Sequence, residues 1–227
     1  MAITIRRVIC GLIQENCYIV QAEGRDDCVV VDPGDEYPKL KAVIGDRQVG
    51  AVLLTHGHFD HIMAAGEIAR DFGTPVYIDA EDVEMLDDSV ISGYDFLMGT
   101  QQSDWRKLDI FYHRDQSLPS DSHAKWAPID ALPLGESLST CGMCFKVIPT
   151  PGHSRGSVCL YLEDEGVLFS GDTLFKEGYG RLDLYGGNLT ALIKSLRKLF
   201  TLPGDVEVYP GHGDVTTIGE EKARYRI

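Results

Sequence analysis

The run Thr55-His56-Gly57-His58-Phe59-Asp60-His61 places three imidazoles and a carboxylate within six residues. A neutral imidazole offers one lone pair to a divalent metal, and a carboxylate adds a hard anionic oxygen. Four further segments carry the same kind of side chain: Asp32-Pro-Gly34, Thr150-Pro-Gly-His153-Ser, Ser170-Gly-Asp172-Thr and Tyr209-Pro-Gly-His212-Gly. Each follows an apolar run and contains glycine, which tolerates positive φ and close approach of backbone. Five of the seven histidines lie in such turns, and with Asp60 and Asp172 they make seven candidate ligands. One zinc takes three or four protein ligands, and a catalytic zinc keeps a position open for water. Seven ligands therefore suit two metals that share a carboxylate. Such a pair, about 3.5–4 Å apart, can hold a bridging hydroxide and stabilise a developing oxyanion. No Gly-x-Ser-x-Gly elbow occurs, and no cysteine is paired with a base in sequence, so metal-hydroxide attack is the chemistry these residues favour.

Positioning such groups requires rigid elements. Apolar runs predict strands at Cys17–Val20, Asp27–Val31, Ala51–Thr55, Pro75–Asp79, Phe145–Ile148, Val158–Leu162, Val167–Ser170 and Val206–Tyr209. The His cluster is expected on a short loop between the Ala51–Leu54 strand and a helix over Ile62–Arg70. Asn188–Leu202 is the clearest helix, with Leu189, Leu192, Ile193, Leu196, Leu199 and Phe200 at helical spacing. Asn188 suits its N-cap, Arg197 and Lys198 its C-terminal end, and Pro203-Gly204 its stop. Strands flanked by helices point to an α/β sandwich in one domain spanning 1–227. Residues 87–130 break the pattern, being polar and aromatic with no sustained period. They read as an insertion with short helices, and functionally as a lid. His113 and His123 within it read as ordinary polar residues.

The formal charge of −14 argues against unspecific attraction to nucleic acid or anionic membrane. No stretch approaches the roughly 18 apolar residues of a membrane span, and Met1–Arg7 has no apolar signal core. A cytoplasmic protein acting on a small molecule is the expectation, with its six cysteines reduced. Cys141-Gly-Met-Cys144 reads as a hairpin turn with incidental thiols.

In type and order, His56-Gly-His58-Phe-Asp60-His61, His153, Asp172 and His212 resemble the metallo-β-lactamase superfamily. That resemblance implies a four-layer αβ/βα sandwich with metals between the edges of two sheets. It assigns His56, His58 and His153 to a first metal, Asp60, His61 and His212 to a second, and Asp172 to both, with Asp32 orienting a ligand histidine. The ions would be two divalent metals, zinc first, with iron or manganese as alternatives. Gln14-Glu-Asn-Cys-Tyr18, Gly152-His-Ser-Arg-Gly-Ser157, Gly171-Asp-Thr-Leu-Phe175 and Gly180-Arg-Leu-Asp183 are similar to the small bacterial glyoxalase II-like (hydroxyacylglutathione hydrolase) branch. Full-length glyoxalase II carries an added C-terminal helical domain, and this chain is expected to lack it. The resemblance implies hydrolysis of an acyl thioester such as a 2-hydroxyacylglutathione, with Arg181 meeting the substrate. Arg155 and Lys176 are further cations that read as solvated surface. Arg-x-Asp at 181–183 is shared with iron-dependent persulfide dioxygenases, where His56, His153 and Asp172 would hold one iron. Lactone or phosphodiester hydrolysis is the remaining alternative.

Overall fold

Successive residues of a strand face opposite sides, and the buried strands of this protein use both. Cys28 and Val30 pack in one core while Val29 and Val31 pack in another. In the same way Cys159 and Tyr161 face one layer, and Val158, Leu160 and Leu162 the next. The computed structural model describes residues 2–99 and 126–225. Its first sheet holds β1 (Ile3–Cys10), β2 (Glu15–Ala22), β3 (Asp27–Val31), β4 (Gln48–Leu53), β5 (Val76–Ile78) and β6 (Ala131–Pro133), in that spatial order. The second holds β7 (Ser137–Thr140), β8 (Met143–Pro149), β9 (Val158–Leu162), β10 (Val167–Gly171), β11 (Glu207–Pro210) and β12 (Thr216–Thr217), likewise in order.

Between the sheets Tyr18, Val20, Val29 and Val31 meet Phe145, Leu160 and Phe169. Outside the first sheet lie α1 (Tyr37–Ile44), α2 (Phe59–Ile62) and α3 (Ala65–Phe72), which bury Leu40, Ile44, Ile62 and Ile68. Outside the second lie α5 (Leu189–Leu199) and α6 (Ile218–Arg224), burying Leu192, Leu196, Leu199 and Ile218. The layers run helix, sheet, sheet, helix, as expected for the αβ/βα sandwich. Each large apolar side chain so buried contributes about 1.5–3 kcal/mol. A strained turn costs about 1–3 kcal/mol, so these strands can hold the irregular turns at their ends.

Predicted Asp27–Val31 and Val158–Leu162 match the strands residue for residue, and the others shift by a few positions. Asn188 caps α5 by accepting the Ala191 amide at 3.0 Å. Cys141 and Gly142 form the tight turn between β7 and β8, with φ of 49° and 73°. All six cysteines are free. Strand β1 escaped the sequence reading because it is an edge strand with much of its length exposed.

Two expectations need correction. The His cluster is not wholly on a loop, since Phe59–Ile62 forms a one-turn helix carrying Asp60 and His61. The helix expected over Ile62–Arg70 is broken before Ala65. There the Ala64 amide donates to Pro33 O (3.0 Å), outside the helix, and the Asp60 carbonyl packs directly on Gly34. The Pro33-Gly34 turn thus takes the hydrogen bond that would have joined α2 to α3.

Of the expected insertion, residues 87–99 and 126–130 are described, with α4 at Tyr94–Gly99. Tyr94 meets Phe59 edge-on at 5.3 Å and Trp126 at 6.1 Å, and Trp126 Nε1 donates to Leu86 O at 2.7 Å. Both flanks therefore pack beside α2. Trp105, Phe111, Tyr112, His113 and His123 lie outside the described residues. Among the described residues no helix is long and apolar enough to cross a membrane.

Candidate metal centre

Strands β3 and β4 run parallel, and so do β10 and β11. Strand β8 is antiparallel to β9, which is antiparallel to β10, so β8 also points along β10. Every turn singled out in the sequence therefore leaves a C-terminal strand end: Asp32 after β3, His56 and His58 after β4, His153 after β8, Asp172 after β10 and His212 after β11. This topology gathers residues separated by more than 150 positions. Among the turn glycines, Gly152 and Gly171 have positive φ (148° and 47°). Gly211 instead permits close approach, because a Cβ there would overlap Asp172 Oδ1 and lie 2.6 Å from His61 Cε1.

All seven expected ligands come together. Donor atoms of His56, His58 and His153 lie within 4.8 Å of one another, as do those of Asp60, His61 and His212. Asp172 sits between the two groups. Its Oδ2 is 3.4 Å from His153 Nε2 and 3.7 Å from His212 Nε2, and its Oδ1 is 3.4 Å from His61 Nε2. Asp60 Oδ2 faces His212 Nε2 at 3.2 Å.

The hydrogen bonds behind the cluster decide which ring nitrogens carry protons. Asp32 is buried and accepts from the Thr55 amide (2.7 Å), the Thr55 hydroxyl (2.7 Å) and His61 Nδ1 (3.1 Å). Thr55 has spent its one proton on Asp32, so at 3.0 Å its oxygen accepts from His56 Nδ1. His153 Nδ1 donates to the Arg181 carbonyl at 2.7 Å. The Nε2 atoms of His56, His61 and His153 are thereby left facing the cluster. Asp32 also lies near His56 and His61 in a possible ligand group, but its three bound donors make it an orienting acid.

Several of the facing atoms have no other role. Among the described residues, His56 Nε2, His61 Nε2 and Asp172 Oδ1 are buried without a hydrogen-bond partner, a condition costing about 1–3 kcal/mol each unless something else binds them. His58 Nδ1 and His153 Nε2 face each other at 2.7 Å. Orphaned lone pairs converging from imidazoles and carboxylates fit a divalent metal.

Charge follows the same division. Burial, reinforced by His61 and His153, holds His56 well below the usual imidazole range. Burial and His153 push His58 down to about 3. Both are neutral at pH 7 and ready to bind metal. Around the second group, burial favours neutral carboxyls, but His61 and His212 outweigh it and keep Asp60 and Asp172 below the ordinary carboxylate range. Burial likewise opposes charge on His61 and His212, yet Asp60 and Asp172 raise both.

Arg181 makes a bidentate pair with Asp183 (2.7 and 2.8 Å) and lies over the exposed Phe96 ring at 5.4 Å. Arg155 and Lys176 are exposed, as expected, with Arg155 over Tyr185 at 4.9 Å. The sequence reading missed Glu15 and Asp82. Glu15 is fully buried 3.9 Å from His61 Nδ1, with neither oxygen hydrogen-bonded among the described residues, and burial raises its carboxyl well above the usual range. Asp82 is buried beside the Gly57 turn. A lone acid in a polar stretch carries no periodic signal, so neither stood out.

Known proteins resemble this chain in sequence and in fold. Hydroxyacylglutathione hydrolase GloC of Haemophilus influenzae is 32% identical over 212 residues, covering 92% of this chain and 90% of that protein. The crystal structure of BLEG-1 B3 metallo-beta-lactamase is 34% identical, with a TM-score of 0.80 and 97% of each chain covered. That of TTHA1623 in a di-iron-bound form is also 34% identical, with a TM-score of 0.75 and 96% of each chain covered. Residues 10–212 match the metallo-beta-lactamase superfamily as a family, and this chain belongs to it.

Proposed function

We propose that the protein is a dinuclear metal-dependent hydrolase that cleaves an acyl thioester such as a 2-hydroxyacylglutathione. The observation that carries the reading is Asp172 lying between two groups of candidate ligands whose histidine ring nitrogens face it. His56, His58 and His153 would hold one ion and Asp60, His61 and His212 the other, with Asp172 within reach of both groups. Bound metal ions supply hydroxide at neutral pH and polarise a carbonyl oxygen. Zinc suits these ligands, and the di-iron form of TTHA1623 supports iron as the alternative.

The chain's own groups do the rest. Asp60 and Asp172 are the catalytic carboxylates, kept ionised so that their oxygens accept a proton bond from the attacking water and orient it. Asp32 fixes His61 directly and His56 through Thr55. A thiolate leaves readily, so no dedicated proton donor is required. Arg181, held flat by Asp183 and lying against Phe96 of α4, meets an anionic group of the substrate. Similarity to GloC supports the thioester. The −14 charge supports a small-molecule substrate over nucleic acid or membrane, and six free cysteines support a cytoplasmic setting.

The test is a panel of acylglutathione, acyl-CoA, lactone, phosphodiester and β-lactam substrates offered to zinc-loaded and iron-loaded protein. Acylglutathione cleavage is expected to dominate. No thioester cleavage with either metal overturns the reading. One iron per chain with thiol-dependent O₂ uptake would establish the persulfide dioxygenase reading, which the Arg181–Asp183 pair supports.

A further inference from the structure

Two of the turns that build the three-histidine group come from different sheets, yet one buried carboxylate holds both. Asp82 lies on the 3-10 helix Ala80–Leu86 and is 1% exposed. Its Oδ2 accepts the Gly57 amide at 3.1 Å and the Ser154 hydroxyl at 2.6 Å, and its Oδ1 accepts the Gly156 amide at 2.7 Å. Gly57 stands between His56 and His58, and Ser154 follows His153. The direction of the Ser154 bond is settled by chemistry, because a carboxylate only accepts. The Ser157 hydroxyl therefore donates to Ser154 Oγ at 2.6 Å, while Ser157 Oγ accepts the Ser154 amide at 3.0 Å. Every polar atom of the clamp is satisfied.

The backbone is shaped to admit this acid. A Cβ on Gly156 would lie 2.8 Å from Asp82 Cγ, and one on Gly57 would lie 2.7 Å from Met85 Cβ and 2.9 Å from Asp82 O. Such contacts are too close for carbon, so the 3-10 helix is seated against both turns only because they carry glycine there. The helix is itself tied down at both ends. Asp79 caps it by accepting the Glu81 amide at 2.9 Å, and Trp126 holds the Leu86 carbonyl.

We propose that Asp82 is a positioning residue that sets the His56–His58 turn against the His153 turn and so determines metal affinity at the three-histidine group. It touches no donor nitrogen and acts through the backbone of both turns. Among the described residues, its carboxylate hydrogen bonds all go to these turns and none to Asp60, His61 or His212. Its effect is therefore confined to one of the two metal positions. This rests on the two-metal reading above.

The test isolates each position. His212→Ala leaves the three-histidine group intact, and His58→Ala leaves the other. Zinc affinity is measured by competition with a chromophoric chelator, with folding checked by circular dichroism. Asn at 82 offers one acceptor oxygen, so at least one of the Gly57 and Gly156 amides loses its partner. Asp82→Asn is expected to weaken zinc binding about 10–100-fold in the His212→Ala background and less than about threefold in the His58→Ala background. Ser154→Ala removes the bond to Asp82 and the one accepted from Ser157 without orphaning either amide, and is expected to give a smaller loss confined to the same background. Equal losses in both backgrounds would make Asp82 merely structural and overturn the proposal, as would unchanged affinity with both substitutions. Failure of both parent backgrounds to bind zinc would overturn the two-metal reading and the proposal with it.

Discussion

Asp32 is the acid whose loss should be felt at both metal positions, and the size of the effect follows from its bonds. It accepts three donors while almost fully buried, and one of them, Thr55, in turn holds His56. In Asp32→Asn the single amide oxygen can keep the Thr55 hydroxyl and the His61 ring N–H, but the NH₂ then faces the Thr55 amide. A buried backbone donor left without an acceptor costs about 1–3 kcal/mol, and each retained bond loses roughly 1 kcal/mol without its charged acceptor. Together these amount to about 3–5 kcal/mol of folding stability. Urea unfolding in the presence of a chelator measures this directly, since bound metal would otherwise add to the stability of the folded state. With a slope of about 2 kcal/mol/M, the midpoint should fall by about 1.5–2.5 M. Zinc affinity should drop about 10–100-fold in both the His212→Ala and His58→Ala backgrounds, in contrast with the one-sided effect expected of Asp82→Asn. A stability change within about 0.5 kcal/mol, the range of an ordinary surface substitution, would refute the reasoning that Asp32 is an obligatory acceptor.

Other outcomes follow from the same geometry. Gly211→Ala places a carbon against Asp172 Oδ1 and His61, so kcat/KM should fall about 10²-fold or more while circular dichroism stays unchanged; full activity would contradict the close approach. Without metal, Asp60 and Asp172 keep His61 and His212 protonated beyond the usual imidazole range. Metal must displace those protons, so zinc binding should strengthen as pH rises and release one to two protons per chain at pH 6. Calorimetry in buffers of different ionisation enthalpy reads this number, and no net release would count against the assignment. Arg181→Ala should raise KM for an acylglutathione about 10–100-fold, the worth of a hydrogen bond to a charged group, with little change in kcat. An equal effect on a neutral thioester would remove Arg181 from substrate contact.

The cluster of candidate ligands was legible because metal chemistry uses few residue types, and because glycine turns after apolar runs mark strand ends. His56, His58, Asp60, His61, His153, Asp172 and His212 all converge where the sequence placed them. The layers were legible too, since buried strands alternate between two cores and α5 repeats at helical spacing. What stayed hidden depends on contacts distant in sequence. The break before Ala65 arises from a hydrogen bond to Pro33, which no local propensity reports. The clamp by Asp82 joins Gly57 to Gly156 across the two sheets, and the tautomers of His56 and His61 depend on an acid more than 20 residues away.

The central claim is that two metals sharing Asp172 drive thioester hydrolysis, and one titration addresses it most directly. Metal-free protein is supplied with increasing zinc while the initial rate of acylglutathione cleavage is followed. The rate is expected to climb until two equivalents per chain are bound and then level off. A rate that saturates at one equivalent, or no cleavage at any ratio, would contradict the claim.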